Sequence, residues 1–299
     1  MNNRIYSIIL LAVLLTACTQ EIPSGLTPIP TTSIATELTI TATPLAEEAV
    51  ISPTSTLELI TLPPPAALPD GPISIIAIGD SLTQGDSDET GRGYPGRLIT
   101  LVNETRPGSS TTNFGQSGWN SDALIEGDQG FLGQLPRAID EVALAKSQDR
   151  GAAVFVWIGS NDLWYLYEYG GDIRDEQEAQ DLEHFSANID LILSELRNAG
   201  AEVIIALLDD QSKRPVAIKG EAFLEITADE LNRMSVQVQR YNEIITQKAT
   251  QYGALTVDFY NTDIFTNPAT LYDDGNHPNA AGYDVIAQKW YEVLITILP

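Results

Sequence analysis

Ile73-Ser74-Ile75-Ile76-Ala77-Ile78-Gly79-Asp80-Ser81-Leu82-Thr83-Gln84-Gly85 is the stretch on which the fold turns. Its first six residues form an apolar, β-branched run without alternation, the composition of a strand buried on both faces. Gly79 then breaks the run and opens a polar cluster. Further along, residues 152–158 (Ala-Ala-Val-Phe-Val-Trp-Ile) repeat the pattern, as do 201–208 and 255–259, with 111–116 a weaker strand. Between them, apolar residues at helical spacing predict helices over 94–103, 132–145, 175–199, 227–252 and 280–298. Asn198-Ala199-Gly200 supplies a stop for the third of these. Unbroken apolar strands alternating with helices require a sheet covered on both sides. The fold class expected is α/β: a three-layer α/β/α sandwich with a mostly parallel sheet of about five strands.

In such sheets, ligands and chemistry collect at the carboxyl ends of the strands. That rule directs attention to the residues after Ile78, Gln116, Ile158 and Phe259. Three of these places hold Gly-centred polar clusters: Gly79-Asp80-Ser81-Leu82, then Gly115-Gln116-Ser117-Gly118, then Gly159-Ser160-Asn161-Asp162. The fourth leads to Asp274-Gly275-Asn276-His277-Pro278. Gly79 permits a sharp turn that lifts Ser81 above the sheet edge. A serine hydroxyl is a poor nucleophile until a base takes its proton, and that base needs a carboxylate to fix its tautomer. Asp274, three residues before His277, can fold back onto Nδ1 and leave Nε2 facing Ser81. Asp273 competes for the same orienting role.

Composition narrows the chemistry further. The 299 residues carry 16 Lys and Arg against 41 Asp and Glu, a net charge of −25, with 43% apolar residues. Enough apolar matter is present to bury a core. The acidity argues against a nucleic-acid partner, because a phosphate backbone is held by clustered cations. Cys18 is the only cysteine, so disulfides and thiolate metal sites are excluded. With only His184 and His277 present, an imidazole base has two possible sources. His184 lies among acidic residues on an expected helix and reads as a solvated helix residue. Asp209-Asp210 lacks converging histidines or further carboxylates, so no metal is expected there, and no cofactor is expected elsewhere.

The N-terminus reads as an address. Asn2-Asn3-Arg4 precedes an apolar run over 5–17 that is too short to span a bilayer, which takes about 20 residues. That pattern is an export signal. Leu15-Thr16-Ala17-Cys18 resembles the bacterial lipobox, which implies cleavage before Cys18 and lipid attachment to its sulfur. Residues 1–17 are therefore expected to be a lipoprotein signal peptide, and the product to be exported and lipid-anchored to the cell envelope. From Thr19 to Asp70 come 9 prolines, 11 threonines and 4 serines without one Lys or Arg. Residues 18–71 are expected to form a disordered tether spanning roughly 40 Å as random coil. A domain then runs over 72–299 with a net charge of −20.

The four clusters, taken in order, resemble the blocks of the GDSL, or SGNH, hydrolase family over residues 73–299. The resemblance implies the flavodoxin-like fold of that family and a carboxylic ester hydrolase. It assigns Ser81 as nucleophile, His277 as general base and Asp274 as its orienter. It assigns the backbone N–H groups of Ser81 and Gly118 and the side-chain amide of Asn161 as the oxyanion hole. Trp164, Tyr165, Tyr167 and Tyr169, in the loop expected after Asp162, together with Trp119, offer a substrate wall or simply core packing. Short-chain esters such as O-acetyl groups on extracellular glycans are the expected substrates, because acidity and export disfavour acyl-CoA and anionic esters. Lipid or aryl ester hydrolysis, acyl transfer to a sugar, and a non-catalytic carbohydrate-binding lipoprotein are the alternatives. The chain is expected to act as a monomer, with the membrane engaged only through Cys18.

Overall fold

A computed structural model describes residues 63, 65–169, 172–220, 224 and 226–299. The signal peptide, Cys18 and nearly all of the tether lie outside the described residues. From its first strand the chain runs β1 (Ile73–Gly79), α1 (Ser81–Gln84), α2 (Gly93–Thr105), β2 (Ser110–Asn113) and α3 (Ser121–Glu126). A two-stranded ribbon, β3 (Gly127–Asp128) and β4 (Phe131–Leu132), precedes α4 (Gln134–Ser147). Then follow β5 (Gly151–Trp157), α5 (Ser160–Tyr169), α6 (Asp175–Ala199) and β6 (Glu202–Leu207). The chain closes with α7 (Pro215–Lys219), α8 (Ala228–Tyr252), β7 (Leu255–Asp258) and α9 (Ala280–Leu294).

The main sheet has the order β2-β1-β5-β6-β7, and every pairing in it is parallel. Its two central runs are the ones most apolar in sequence: all seven positions of β5 and six of seven in β1 are buried. Strand order reverses between β1 and β5, the switch point at which doubly wound sheets open a crevice. α4, α6 and α8 pack side by side over one face. α2 and α9 pair with each other over the opposite face, where Trp290 of α9 meets both Phe155 and Trp157, alternate residues of β5. The Trp157 ring stacks on Phe259, centroids 4.2 Å apart, and ties β5 to the segment after β7.

The α/β architecture and its five-strand parallel sheet are as expected. Two local readings differ. Residues 163–169 form α5 rather than a loop: Leu163, Trp164 and Tyr167 recur at helical spacing and are all buried. The other difference is at the domain's start. Leu68, within the segment read as tether, is buried and donates its N–H to Ile297 O at 2.7 Å. Arg106 secures the same segment through the carbonyls of Pro69 (2.6 Å) and Gly71 (3.0 Å). Burying one leucine contributes about 1.5–3 kcal/mol, worth roughly 2–4 °C per kcal/mol in a domain of this size. A chain starting at Pro63 is therefore expected to melt roughly 5 °C above one starting at Asp70 in scanning calorimetry. Identical melting temperatures would show that the Leu68 contact is idle.

Candidate active site

The turn after β1 is dictated by Gly79. Its φ is +153°, and a Cβ built there would lie 2.1 Å from the carbonyl oxygen of Trp157, so no larger residue fits. A buried side chain holds this glycine from the other side. Gln134 Oε1 accepts the Gly79 N–H at 2.7 Å and Gln134 Nε2 donates to Gly79 O at 2.8 Å. Asp80 follows, with Oδ1 capping α1 through the Leu82 N–H at 2.9 Å. Ser81 thereby becomes the first helical residue, 8% exposed at the sheet edge. Burial without a counter-ion at bonding distance raises the Asp80 carboxyl to about 6, against the opposing pull of the Leu82 N–H, Arg214 and His277.

His277 arrives from the loop between β7 and α9, 196 residues away in sequence. Asp274 organises that loop: its Oδ1 accepts the N–H groups of Asn276 (2.8 Å) and His277 (2.9 Å), while Oδ2 meets His277 Nδ1 at 2.8 Å. His277 Nε2 stands 3.0 Å from Ser81 Oγ. Partial burial works to raise the Asp274 carboxyl. The donors around it, namely the His277 ring and amide, the Asn276 amide and Ser87, prevail and hold it well below the usual carboxylate range. Asp273 is exposed and is not brought to His277. The loop is fastened from beneath by Arg214, which binds Asp209 through Nε at 2.9 Å and Nη2 at 2.6 Å and reaches Asn276 Oδ1 at 2.8 Å. Asp209, which stood out in sequence, thus serves an ion pair, and Asp210 pairs with Lys213 and accepts from Ser235.

One contributor escapes any sequence pattern. Ser87 donates from Oγ to Asp274 Oδ2 at 2.9 Å while sitting at φ +63°, a left-handed conformation that costs a non-glycine residue roughly 1 kcal/mol. Asp88 locks this segment, accepting from the amides of Thr90, Arg92 and Gly93 and from Arg97. Only the convergence of the segment after α1 with the His277 loop reveals the Ser87 contact.

The loop after β2 is held against the same edge. Gln116 N–H donates to Gly79 O (3.0 Å), Ser117 N–H to Gln84 Oε1 (2.6 Å) and Trp119 N–H to Gln116 O (3.2 Å). Among the described residues no acceptor takes the N–H of Gly118 or of Ser81. Asn161, at the start of α5, donates from Nδ2 to Trp119 O at 2.9 Å, which spends one of its two amide hydrogens and orients the other. Two backbone amides without an acceptor among the described residues and one oriented side-chain amide are therefore available on the segments that follow β1, β2 and β5. That is a donor set able to stabilise negative charge on an oxygen.

The aromatic residues divide. Trp164 and Tyr167 belong to the core, whereas Trp119, though only 6% exposed, lines the cavity beside Tyr165. Tyr165 faces outward at 37% exposure and donates from its hydroxyl to Gly118 O at 2.6 Å. Beside it opens a cavity of about 360 Å³ whose lining includes Ser117, Gly118, Asn120, Asp122, Glu126 and Asp128. His184 lies on the surface of α6, paired with Asp122 at 2.7 Å, away from Ser81. No cluster able to hold a metal ion occurs among the described residues.

The buried Asp80 makes a pH test of this geometry. Its folded-state value near 6 exceeds the ordinary 3.8, so the folded protein holds that proton more tightly than the unfolded chain. The stability so contributed is complete below about pH 4 and is lost as pH rises through 6. The wild-type melting temperature is expected to decline over that window relative to Asp80→Asn, whose side chain retains an oxygen to cap α1. Parallel curves for the two proteins would contradict the buried, raised carboxyl.

The uncharacterized protein YpmR of Bacillus subtilis is 25% identical over 233 residues, 74% of this chain and 81% of its own length. A multidomain esterase of Ruminococcus flavefaciens is 23% identical over 261 residues; the match takes in 80% of this chain but only 30% of that protein. Among solved structures, the acetylxylan esterase Axe2 of Geobacillus stearothermophilus superposes with a TM-score of 0.52 at 19% identity, covering 75% of this chain and 95% of that one. The psychrotrophic esterase EstA of a Pseudoalteromonas species gives 0.51 at 17%, covering 75% and 97%. At such identities the structures speak for the fold alone. Residues 77–285 match the model of the GDSL-like lipase/acylhydrolase family, from β1 into α9, and the chain belongs to that family.

Proposed function

We propose that this chain is a serine esterase that cleaves short-chain esters, such as O-acetyl groups on extracellular glycans, through an acyl-serine intermediate. The observation that carries this reading is the line Ser81 Oγ, His277 Nε2, His277 Nδ1, Asp274 Oδ2, with hydrogen-bond distances of 3.0 and 2.8 Å. Ser81 Oγ attacks the ester carbonyl carbon as His277 Nε2 takes its proton. The carbonyl oxygen, now negative, is met by the amides of Ser81, Gly118 and Asn161. Collapse expels the alcohol, which leaves with the proton from His277. Water then attacks the acyl group with His277 again as base, and the carboxylic acid departs. Asp274, held ionised by its four donors, keeps the proton on Nδ1 and stabilises the imidazolium.

Charge and cavity shape support the substrate class. The cavity beside Gly118 has three carboxylates, Asp122, Glu126 and Asp128, and no Lys or Arg in its lining. Such a lining suits a neutral polyol, whose hydroxyls donate to carboxylates, and opposes phosphate or uronate groups. The fold shared with an acetylxylan esterase agrees with an acetyl ester on a sugar. Export and lipidation at Cys18 complete the reading. The chain enters the domain beside the first residue of β1, while Ser81 follows its last. Seven strand residues, about 20 Å at roughly 3.3 Å each, therefore lie between the tether's attachment and the chemistry.

Ser81→Ala and His277→Ala are each expected to lower kcat by on the order of 10⁴–10⁶, with the double variant scarcely worse, because the residues act as one unit. Asp274→Asn should cost on the order of 10⁴ through the wrong tautomer, and Asn161→Ala roughly 10²–10³ as one donor among three. Asp273→Asn and His184→Ala should stay within a few-fold of wild type. p-Nitrophenyl esters from acetyl to palmitoyl, run beside acetylated xylan, read all of these and the acyl preference together. An active Ser81→Ala enzyme would remove the assignment.

A further inference from the structure

The Gly118 amide is the least constrained of the three proposed oxyanion donors. Gly118 has φ +79° and no side chain, so nothing in the residue itself fixes the peptide planes on either side. The constraint comes from one turn of α5. Asn161 holds Trp119 O, Asp162 accepts the Ser121 N–H at 3.0 Å and the Ser121 hydroxyl, and Tyr165 donates to Gly118 O at 2.6 Å. Positions 161, 162 and 165 share one side of the helix, since residues four apart lie one turn above each other. Of the three, only Tyr165 reaches Gly118 itself.

We propose that Tyr165 is a positioning residue for the acyl-serine reaction: its hydroxyl holds the Gly118–Trp119 peptide while Gln84 holds the Ser117 N–H, and together they confine Gly118 Cα so that its N–H, carried by the intervening Ser117–Gly118 peptide, points at the developing oxyanion. This rests on the esterase reading and goes beyond it. The tyrosine is not spent on substrate, because its hydroxyl is committed to a backbone carbonyl. Its phenol remains a donor throughout the working pH range: burial raises it above its ordinary value, as do Tyr169, Asp128 and Asp162. A Cβ on Gly118 would lie 3.3 Å from the same hydroxyl, so the contact also closes the space in which the glycine could turn. Tyr165 also lines the cavity, and a phenylalanine would keep its ring.

The test is Tyr165→Phe, which removes one oxygen and keeps the packing. Its kcat is expected to fall about tenfold on every ester of the panel, less than the roughly 10²–10³ for loss of a donor outright. KM should stay within twofold. Affinity for phenylboronic acid, which forms a tetrahedral adduct on a nucleophilic serine, should weaken by the same factor as kcat. A purely structural role would lower the melting temperature and leave the boronate affinity of the folded enzyme unchanged. A kcat within twofold of wild type, or a loss confined to KM or to one alcohol, would overturn the proposal and make Tyr165 a substrate contact. Should Ser81→Ala remain active, the acyl-serine reading and this role fall together. An inactive Ser81→Ala beside a fully active Tyr165→Phe removes only the tyrosine's role.

Discussion

The 3.0 Å approach of His277 Nε2 to Ser81 Oγ is the contact on which the rest of this domain depends. It joins the end of the first strand to a loop 196 residues later, and no local interaction could bring the two together. The parallel sheet does so by ending β1 and β7, with β5 and β6 between them, along one edge. Two of these strand ends are finished by a buried side-chain amide. Gln134 completes the hydrogen bonding of Gly79 at the end of β1, and Asn242 does the same after β6, bonding Leu208 N–H at 2.7 Å and O at 2.8 Å. Without these amides, buried backbone groups would be stranded where the ladder stops, at a cost of about 1–3 kcal/mol each.

Around that contact lie two supports. The His277 loop is held by the Arg214–Asp209 pair below and the Ser87 hydroxyl beside Asp274. The Gly118 loop is held by Asn161 and Tyr165 of α5, by Gln84, and by the Asp86 carboxylate, which accepts from the Ser117 hydroxyl. In the proposed reaction His277 passes from neutral to positive, and the ionised Asp274 beside it would stabilise that charge; the charge proposed on the oxyanion is transient, where fixed dipoles serve without needing to reorganise.

Much of this was legible in the sequence because the relevant signals are local. Buried strands announce themselves as unbroken apolar runs, and Ser81, Gly118 and Asn161 do follow the carboxyl ends of β1, β2 and β5. Asp274 could be preferred over Asp273 only through the resemblance to the family's last block, because either carboxylate lies close enough in sequence to reach the ring. Long-range partners were not legible. Ser87 is an ordinary polar residue until the fold brings it to Asp274, and Leu68 sits in a Pro- and Thr-rich stretch that gives no sign of burial. The aromatic run after Asp162 left a binding wall and core packing both open, and the structure divides it, with Tyr165 at the cavity and Trp164 and Tyr167 in the core. Their 163, 164 and 167 spacing was the helical clue, and tertiary packing claimed Trp164 for the core.

The central claim is that the fold makes Ser81, and no other serine, nucleophilic. The most direct measurement is reaction with a p-nitrophenyl alkylphosphonate followed by peptide mass spectrometry. The account predicts one phosphonyl group per chain, located on Ser81, with release of one equivalent of p-nitrophenol and labelling greatly slowed in His277→Ala. Labelling distributed over several serines, or equally fast in His277→Ala, would contradict it.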